Sequence, residues 1–327
     1  MAALCACSGN ASGGSAAEAV HSDPETAPIA AAFDADSAYS YVERQVNFGP
    51  RVPGTAPHKA CAEFIAAELT RHGADTVTRQ KASVTAFDGT VLPIDNIMAR
   101  FNTSAPRRVL IAAHYDTRPW ADNEPDPEKR FTPIPGANDG ASGVGVILEL
   151  ARIIGRQTPP VGVDFLLVDA EDYGYSPEIS EAYCHDSDRT WCLGTQYWAT
   201  HNPYTETDRP AYGILLDMVG GTGAKFYREY TSDAYARNIV DLVWSTAAAS
   251  PYADRFINAR GGALVDDHLF INAAGIPTID IVECYEGGFS PTWHTHADDM
   301  AHIDRSTLKA VGQTVCDVIY GESASIK

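Results

Sequence analysis

The segment RVLIAAHYD, residues 108–116, has the pattern that decides the fold. An apolar run of strand length, VLIAA, leads directly into a histidine and an aspartate. An apolar run without polar alternation is typical of a strand buried on both faces, as in a parallel sheet covered by helices. The segment therefore predicts an α/β protein in which polar side chains lie at the carboxyl end of a central strand.

Outward from this segment, strand-like and helical patterns alternate, which favours a mainly parallel sheet with helices on both faces. Residues 35–72 are predicted to form two helices around a turn rich in glycine and proline. No internal repeat or linker divides residues 34–327, so one domain is expected there. The other predicted strands are 94–101, 163–168, 212–217 and 277–282, and the other predicted helices are 140–156, 192–201, 233–249, 266–275 and 305–321.

Residues 1–33 are predicted to be a tether, because small and polar residues dominate them. The opening MAALCAC resembles the end of a bacterial lipoprotein signal, in which a cysteine after small residues carries the lipid. On that interpretation the protein is exported to the periplasm and is held at the membrane only through Cys5 or Cys7. A disordered tail with two incidental cysteines is the alternative.

Composition excludes several classes of function. The chain has 43 acidic and 24 basic residues, and its net charge of -19 argues against nucleic acid or an anionic membrane surface as a partner. No apolar run reaches the roughly 18 residues of a membrane-spanning helix. At 327 residues the chain is long enough to bury a large core, and we expect a monomer.

Two cysteines, Cys184 and Cys192, bracket the polar loop CHDSDRTWC. Their spacing suits a disulfide in an oxidising compartment, which agrees with export. Cys61, Cys284 and Cys316 lie in apolar contexts and are predicted to be buried rather than reactive.

Residues able to bind a metal or move a proton lie at the ends of several predicted elements. Ligands of an open parallel sheet bind at the carboxyl ends of its strands, so these side chains are expected to converge although they are far apart in sequence. The irregular segment 117–135 lies between two of them and is predicted to form a rim of the site. The set comprises His114, Asp116, Asp139, Glu171, Asp172, Asp217 and His294.

The order of these motifs resembles that of the zinc aminopeptidase family and, within it, of the glutaminyl-peptide cyclotransferases. The matching stretches are AAHYDTRPWADN, PIPGANDGASGVGVILELARI, FLLVDAEDYG, GILLDMVGG, VDDHLF and SPTWHTHADD, which together span nearly all of residues 105–305. The resemblance implies a three-layer α/β/α sandwich with a twisted, mixed, mainly parallel sheet. It also implies an enzyme that converts the N-terminal glutamine of peptides or proteins to pyroglutamate and releases ammonia.

By motif position, the resemblance implies that Asp139, Asp172 and His294 bind one catalytic zinc ion and that Glu171 is the general acid/base. Two carboxylates and one histidine, with an open fourth position, are suited to a catalytic zinc. In such cyclases a pair of acids surrounds the substrate amine, and the matching residues here are Asp217 and Asp266. Trp293, and Trp191 in the segment RTWCLG, match the tryptophans that form the wall of the substrate site.

Two alternatives stay open at this point. Aminopeptidase relatives bind a second zinc through residues at the places of His114 and Asp217, with Asp139 bridging, and all three are present. A two-zinc aminopeptidase with Glu171 as the base of an attacking water is therefore the main alternative. A non-catalytic binding ectodomain on the same fold is the other, although such a domain has no reason to keep every ligand and the base.

Overall fold

The computed structural model describes Met1 and residues 30–181, 184–285 and 288–323. The strands are β1 (Thr76–Thr85), β2 (Val91–Phe101), β3 (Arg108–His114), β4 (Gly162–Val168), β5 (Gly213–Asp217), β6 (Phe226–Arg228), β7 (Phe256–Arg260), β8 (Thr278–Val282), β9 (Cys284–Tyr285) and β10 (Gly288–Phe289). The helices are α1 (Ala35–Val46), α2 (Ala56–Arg71), α3 (Ala141–Ile154), α4 (Leu193–His201), α5 (Tyr230–Ala248), α6 (Asp267–Ala273) and α7 (Arg305–Gly321). Short 3₁₀ helices span Pro127–Lys129, Ser187–Thr190 and Met300–His302.

Six of these strands form the central sheet, in the order β1-β2-β4-β3-β5-β8. β4, β3, β5 and β8 run parallel, whereas β2 pairs antiparallel with both β1 and β4. The predicted mixed, mainly parallel sheet is therefore confirmed. Because the parallel strands all end at the same edge, the loops that follow them meet there.

Helices cover both faces of the sheet, and alternate residues of each strand face opposite sides. Along β3, Val109 and Ile111 pack in the larger core together with α1, α2, α3, α5 and α7. Leu110, which lies between them, packs on the other face with Trp198 of α4 and Ile271 of α6. The predicted three-layer α/β/α arrangement is confirmed.

Close packing of α3 on β5 brings the start of α3 to the edge where the parallel strands end. A Cβ atom on Gly143 would lie 2.2 Å from the carbonyl oxygen of Leu216, so the helix backbone contacts the strand directly. Ser142 reinforces the contact, since its Oγ donates to the carbonyl of Asn138 and accepts from the N–H of Val219. The residues just before α3 are therefore held beside the end of β5.

β1 is absent from the strands predicted from the sequence. Its residues alternate between exposed and half-buried, and none of them is fully buried. Among the strands that the structure describes, it lies at the edge of the sheet and pairs with β2 alone. Pairing with β2, rather than an apolar pattern of its own, therefore makes this segment a strand.

Contacts to the core extend slightly before the predicted boundary at residue 34. Phe33 is buried in the larger core, its N–H donates to Gln313 Oε1, and its ring packs against Gly312 of α7. Cys5 and Cys7, on which the lipoprotein prediction rests, lie outside the described residues, so the tether, export and periplasmic location stay predictions. Within the described ranges, no helix combines the length and the apolarity needed to cross a bilayer.

The predicted disulfide between Cys184 and Cys192 is wrong in this structure, since both cysteines are free. Cys192 is fully buried, and its thiol donates to Oε1 of Glu171 at 3.2 Å. Its backbone N–H also donates to the carbonyl of Glu171. Cys61, Cys284 and Cys316 are buried, as predicted.

Candidate active site

The candidate catalytic residues converge at the carboxyl edge of the sheet. β3 ends at His114 and β5 ends at Asp217. Glu171 and Asp172 follow β4 after a short turn, and Asp139 precedes α3. The predicted convergence of these side chains is therefore what the structure shows.

Asp139 lies at the centre of two groups of potential metal ligands. Its Oδ1 is 3.0 Å from Nε2 of His114, and its Oδ2 is 3.7 Å from Nε2 of His294. The first group consists of Asp139, His294 and Asp172, with Oδ1 of Asp172 3.2 Å from Nε2 of His294. The second group consists of Asp139, His114 and Asp217, with Oδ1 of Asp217 3.1 Å from Nε2 of His114. In each group of three residues, one ligand atom per residue lies within 4.8 Å of the others.

The group of Asp139, Asp172 and His294 fits a zinc ion. Asp172 is 1% exposed, and neither of its carboxylate oxygens has a hydrogen-bond donor. Nη1 of Arg118 lies 3.6 Å from Oδ1, beyond hydrogen-bond distance. A buried carboxylate without a donor is costly unless a cation or a proton compensates it. Two carboxylates and one histidine form a donor set that zinc accepts.

Asp139 is not the N-cap of α3, although an aspartate before a helix often is. The cap is Gly140, whose φ is 84° and which makes no side-chain cap bond. The Asp139 carboxylate is thereby free to face His114 and His294. A Cβ atom on Gly140 would lie 2.9 Å from the Asp116 carbonyl oxygen and 2.9 Å from Cε1 of His114, so the close approach also requires glycine.

Two further buried acids fix the backbone of the ligand residues. The Asp298 carboxylate accepts from the N–H groups of Asn138 and Asp139 at 2.7 and 3.0 Å. The Asp116 carboxylate accepts from those of Glu171 and Asp172 at 3.1 and 3.2 Å. Sequence reasoning found Asp116 at a strand end but missed Asp298, which lies in the stretch SPTWHTHADD.

The backbone around the site is strained. Ala170, Cys192, Met218 and His294 all have positive φ, between 48° and 56°. For residues other than glycine this conformation costs roughly 1–2 kcal/mol and is concentrated at functional sites. Each of these residues is, or directly adjoins, a residue of the candidate site or of its wall. The strain turns the side chains that follow the strands toward one another.

A cavity of about 270 Å³ opens above the first ligand group. Trp293 stacks on the His294 ring with centroids 3.8 Å apart, and the ring of Trp191 lies 6.0 Å from it. Both tryptophans therefore flank the site, as the resemblance implies. The cavity is lined by Asp139, Glu171, Asp172, Asp188, Trp191, Asp217, Met218, Ala263, Leu264, Val265, Asp266, Phe289, Trp293 and His294.

Glu171 and Asp266 face each other at the base of this cavity. One carboxylate oxygen of each lies within 4.8 Å of the other and of the Cys192 sulfur. Burial raises the pKa of Glu171 well above its usual range, and Asp266 and Asp172 raise it further against the effect of His114. A carboxyl group with a raised pKa is suited to both accepting and donating a proton.

The predicted pairing of Asp217 with Asp266 is not a direct bond in this structure. Asp217 bonds His114, whereas Asp266 caps α6 by accepting from the N–H of Asp267. Burial raises the pKa of Asp217 to about 7, with contributions from Asp139 and Asp266 against that of His114. The two acids share the cavity, and their joint role stays a prediction.

Comparison with known proteins identifies the family. The model of peptidase family M28 matches residues 96–319, more than half of the chain. The chain therefore belongs to peptidase family M28. Within the family, the resemblance to bacterial glutaminyl cyclases is confirmed by solved structures, and so is the expectation of an enzyme rather than a binding ectodomain.

The glutaminyl cyclase of Bacteroides thetaiotaomicron, solved with N-acetylhistamine, is 50% identical, with 90% of this chain and 100% of that chain covered at a TM-score of 0.86. The glutaminyl cyclase of Porphyromonas gingivalis is 48% identical, with 88% and 98% covered at a TM-score of 0.81. A leucine aminopeptidase precursor from Bacteroides thetaiotaomicron is 48% identical, with 90% and 100% covered at a TM-score of 0.85.

Aminopeptidase YwaD of Bacillus subtilis is 26% identical over 83% of this chain. The alignment covers 54% of YwaD, so the chain spans about half the length of that relative.

We expect Gly140→Ala to destabilise the protein more than Gly89→Ala. The two glycines have φ values of 84° and 85°, but nothing lies within 4 Å of a Cβ atom at Gly89. The left-handed backbone should cost each variant about 1–2 kcal/mol, and crowding at Gly140 should add about 1–3 kcal/mol. Denaturant unfolding measures both free energies. Equal losses would show that Asp116 and His114 do not crowd this position.

Proposed function

We propose that the protein converts N-terminal glutamine of peptides or proteins to pyroglutamate with release of ammonia, using one zinc ion and Glu171 as general acid/base. The observation that carries this proposal is the placement of Glu171 and Asp266 at the base of a cavity whose walls are Trp191 and Trp293. The extensive identity to bacterial glutaminyl cyclases supports it. We further propose that Asp139, Asp172 and His294 hold the zinc.

The reaction needs no covalent enzyme intermediate, because the nucleophile is the substrate's own α-amine. Glu171 accepts a proton from the amine as the new C–N bond forms at the γ-carboxamide carbon. It then donates that proton to the departing nitrogen, which leaves as ammonia when the old C–N bond breaks. Bound zinc supplies Lewis-acid polarisation of a carbonyl oxygen.

The remaining cavity residues orient the glutamine. Asp217 and Asp266 accept hydrogen bonds from the α-amine and direct its lone pair at the side-chain carbon. Trp191 and Trp293 hold the side chain folded back toward the amine. Because the two reacting groups belong to one residue, this folding into a near-attack shape supplies much of the rate.

A two-zinc aminopeptidase is the second candidate, and the group of His114, Asp139 and Asp217 favours it. One ligand atom of each lies within 4.8 Å of the other two, and Asp139 could bridge two ions. In this alternative, Glu171 would instead activate a water molecule. The two candidates therefore differ in metal count and in nucleophile.

We expect one tightly bound zinc per chain after dialysis, measured by elemental analysis. Asp139→Ala, Asp172→Ala and His294→Ala should each lose zinc and activity together, because each removes one of three protein ligands. His114→Ala should retain the ion. Two ions per chain, with one lost in His114→Ala, would favour the aminopeptidase.

We expect Glu171→Gln to retain zinc and to lower turnover by about 10²-fold or more, because the proton carrier is removed. Ammonia release from glutaminyl peptides measures turnover, and hydrolysis of aminoacyl anilides is measured beside it. Glu149→Gln is the matched control, since Glu149 is also buried but pairs with Arg152 on α3. Near-normal ammonia release by Glu171→Gln would exclude Glu171 as the acid/base.

We expect Asp266→Asn to lower ammonia release by at least about tenfold at unchanged zinc content, because a neutral amide binds the substrate amine less well. Asparagine still caps a helix. Asp304→Asn is the control for capping, because Asp304 is the N-cap of α7 and accepts from the N–H of Ser306. Full activity in Asp266→Asn would contradict the role of Asp266 at the amine.

A further inference from the structure

The loop between β3 and α3 carries a buried ion pair whose two residues are not among the predicted ligands or catalytic residues. Arg118 is fully buried and Asp122 is 4% exposed. Nε and Nη2 of Arg118 donate to Oδ1 and Oδ2 of Asp122 at 2.7 and 2.8 Å. Such a two-point pair fixes the plane of the carboxylate as well as its position.

Asp122 presents one oxygen to a residue of the zinc group. Its Oδ1 lies 3.1 Å from Nδ1 of His294, whereas Nε2 of the same ring faces Asp172 and Asp139. A carboxylate on the far nitrogen of a ligand histidine fixes the ring orientation and the tautomer, and raises the basicity of the nitrogen that binds metal. Asp122 lies at ion-pair distance to do this for His294, in a contact that lacks the alignment of a hydrogen bond in this structure.

Arg118 contacts the second ligand segment and the substrate wall. Its Nη1 donates to the carbonyls of Asp172 and Gly174 at 3.0 and 3.2 Å. Its guanidinium carbon lies 4.5 Å from the centroid of the Trp191 ring. One side chain therefore connects Asp122, the backbone at Asp172 and Trp191.

We propose that Arg118 and Asp122 are a positioning pair that sets zinc affinity through His294 and Asp172, and that Arg118 also holds Trp191 against the substrate. The pair makes the metal group and one wall of the cavity a single rigid unit. This inference rests on the proposed zinc group. It assigns no step of the reaction to either residue, since both act through their neighbours.

The chain offers a matched control at the opposite end of β3. Arg108 is also buried and forms a two-point pair with Asp164. It also donates to two backbone carbonyls, those of Phe101 and Asn102. Arg108→Lys and Arg118→Lys therefore remove equivalent contacts, but only Arg118 lies at the site.

The test compares Arg118→Lys, Asp122→Asn, Arg108→Lys and the parent, each prepared without metal and titrated with zinc against a chromophoric chelator. We expect Asp122→Asn and Arg118→Lys to bind zinc about 10- to 100-fold more weakly than the parent. Arg108→Lys should bind zinc like the parent, even if its melting temperature is lower. Lysine keeps the charge but loses the two-point geometry. If Arg118→Lys binds zinc as tightly as the parent, only the positive charge of Arg118 matters, and the proposal is overturned.

The substrate half of the proposal has its own measurement. With zinc saturating, KM for a glutaminyl peptide should rise in Arg118→Lys but not in Asp122→Asn, because only Arg118 contacts Trp191. If Arg118→Lys does not fold, parental zinc affinity in Asp122→Asn still overturns the His294 half. If Arg108→Lys weakens zinc binding as much as Arg118→Lys does, general destabilisation explains the loss, and the proposal is overturned as well. Parental zinc binding by His294→Ala would instead refute the zinc group itself.

Discussion

Mutual repulsion among buried carboxylates at one edge of the sheet is the constraint on which the rest of the structure depends. Asp139, Asp172, Asp217, Glu171 and Asp266 are each at most 9% exposed and line one cavity. Carboxylates so close together and so poorly solvated cannot all be ionised unless cations, donors or protons compensate them. Histidines, backbone N–H groups and the raised pKa of Glu171 provide part of that compensation, and a metal ion fits the remainder.

The backbone around these acids is held as firmly as the acids themselves. Asp116 and Asp298 accept from the N–H groups of the residues that carry the ligands. The bonds from Asp116 hold the residues that directly follow the strained turn at Ala170, because such a turn would relax if nothing fixed it. These surrounding contacts hold the ligand-carrying segments beside one another.

Segment 117–135 has no regular pattern in the sequence, yet its first part is buried at the site. Arg118 and Asp122 lie beneath the cavity, and the N–H of Asn123 donates to the carbonyl of His294. None of residues 117–135 lines the cavity, so the predicted rim is wrong in this structure, and the segment instead contacts the ligand residues from behind. Changes in the loop would therefore act on the cavity through Trp191 and His294, which Arg118 and Asp122 contact.

The sequence by itself determined the parallel sheet, the order of its elements and most of the candidate site, because carboxyl ends of parallel strands meet whatever their separation along the chain. This rule placed His114, Glu171, Asp172 and Asp217 at one edge of the sheet, whereas their roles were expected from the family resemblance. Only the tertiary structure decided that β1 is a strand, that Cys192 faces Glu171 instead of Cys184, and that Arg118 and Asp122 support His294. These features depend on irregular turns and on contacts between distant segments, and such contacts leave no local period in the sequence.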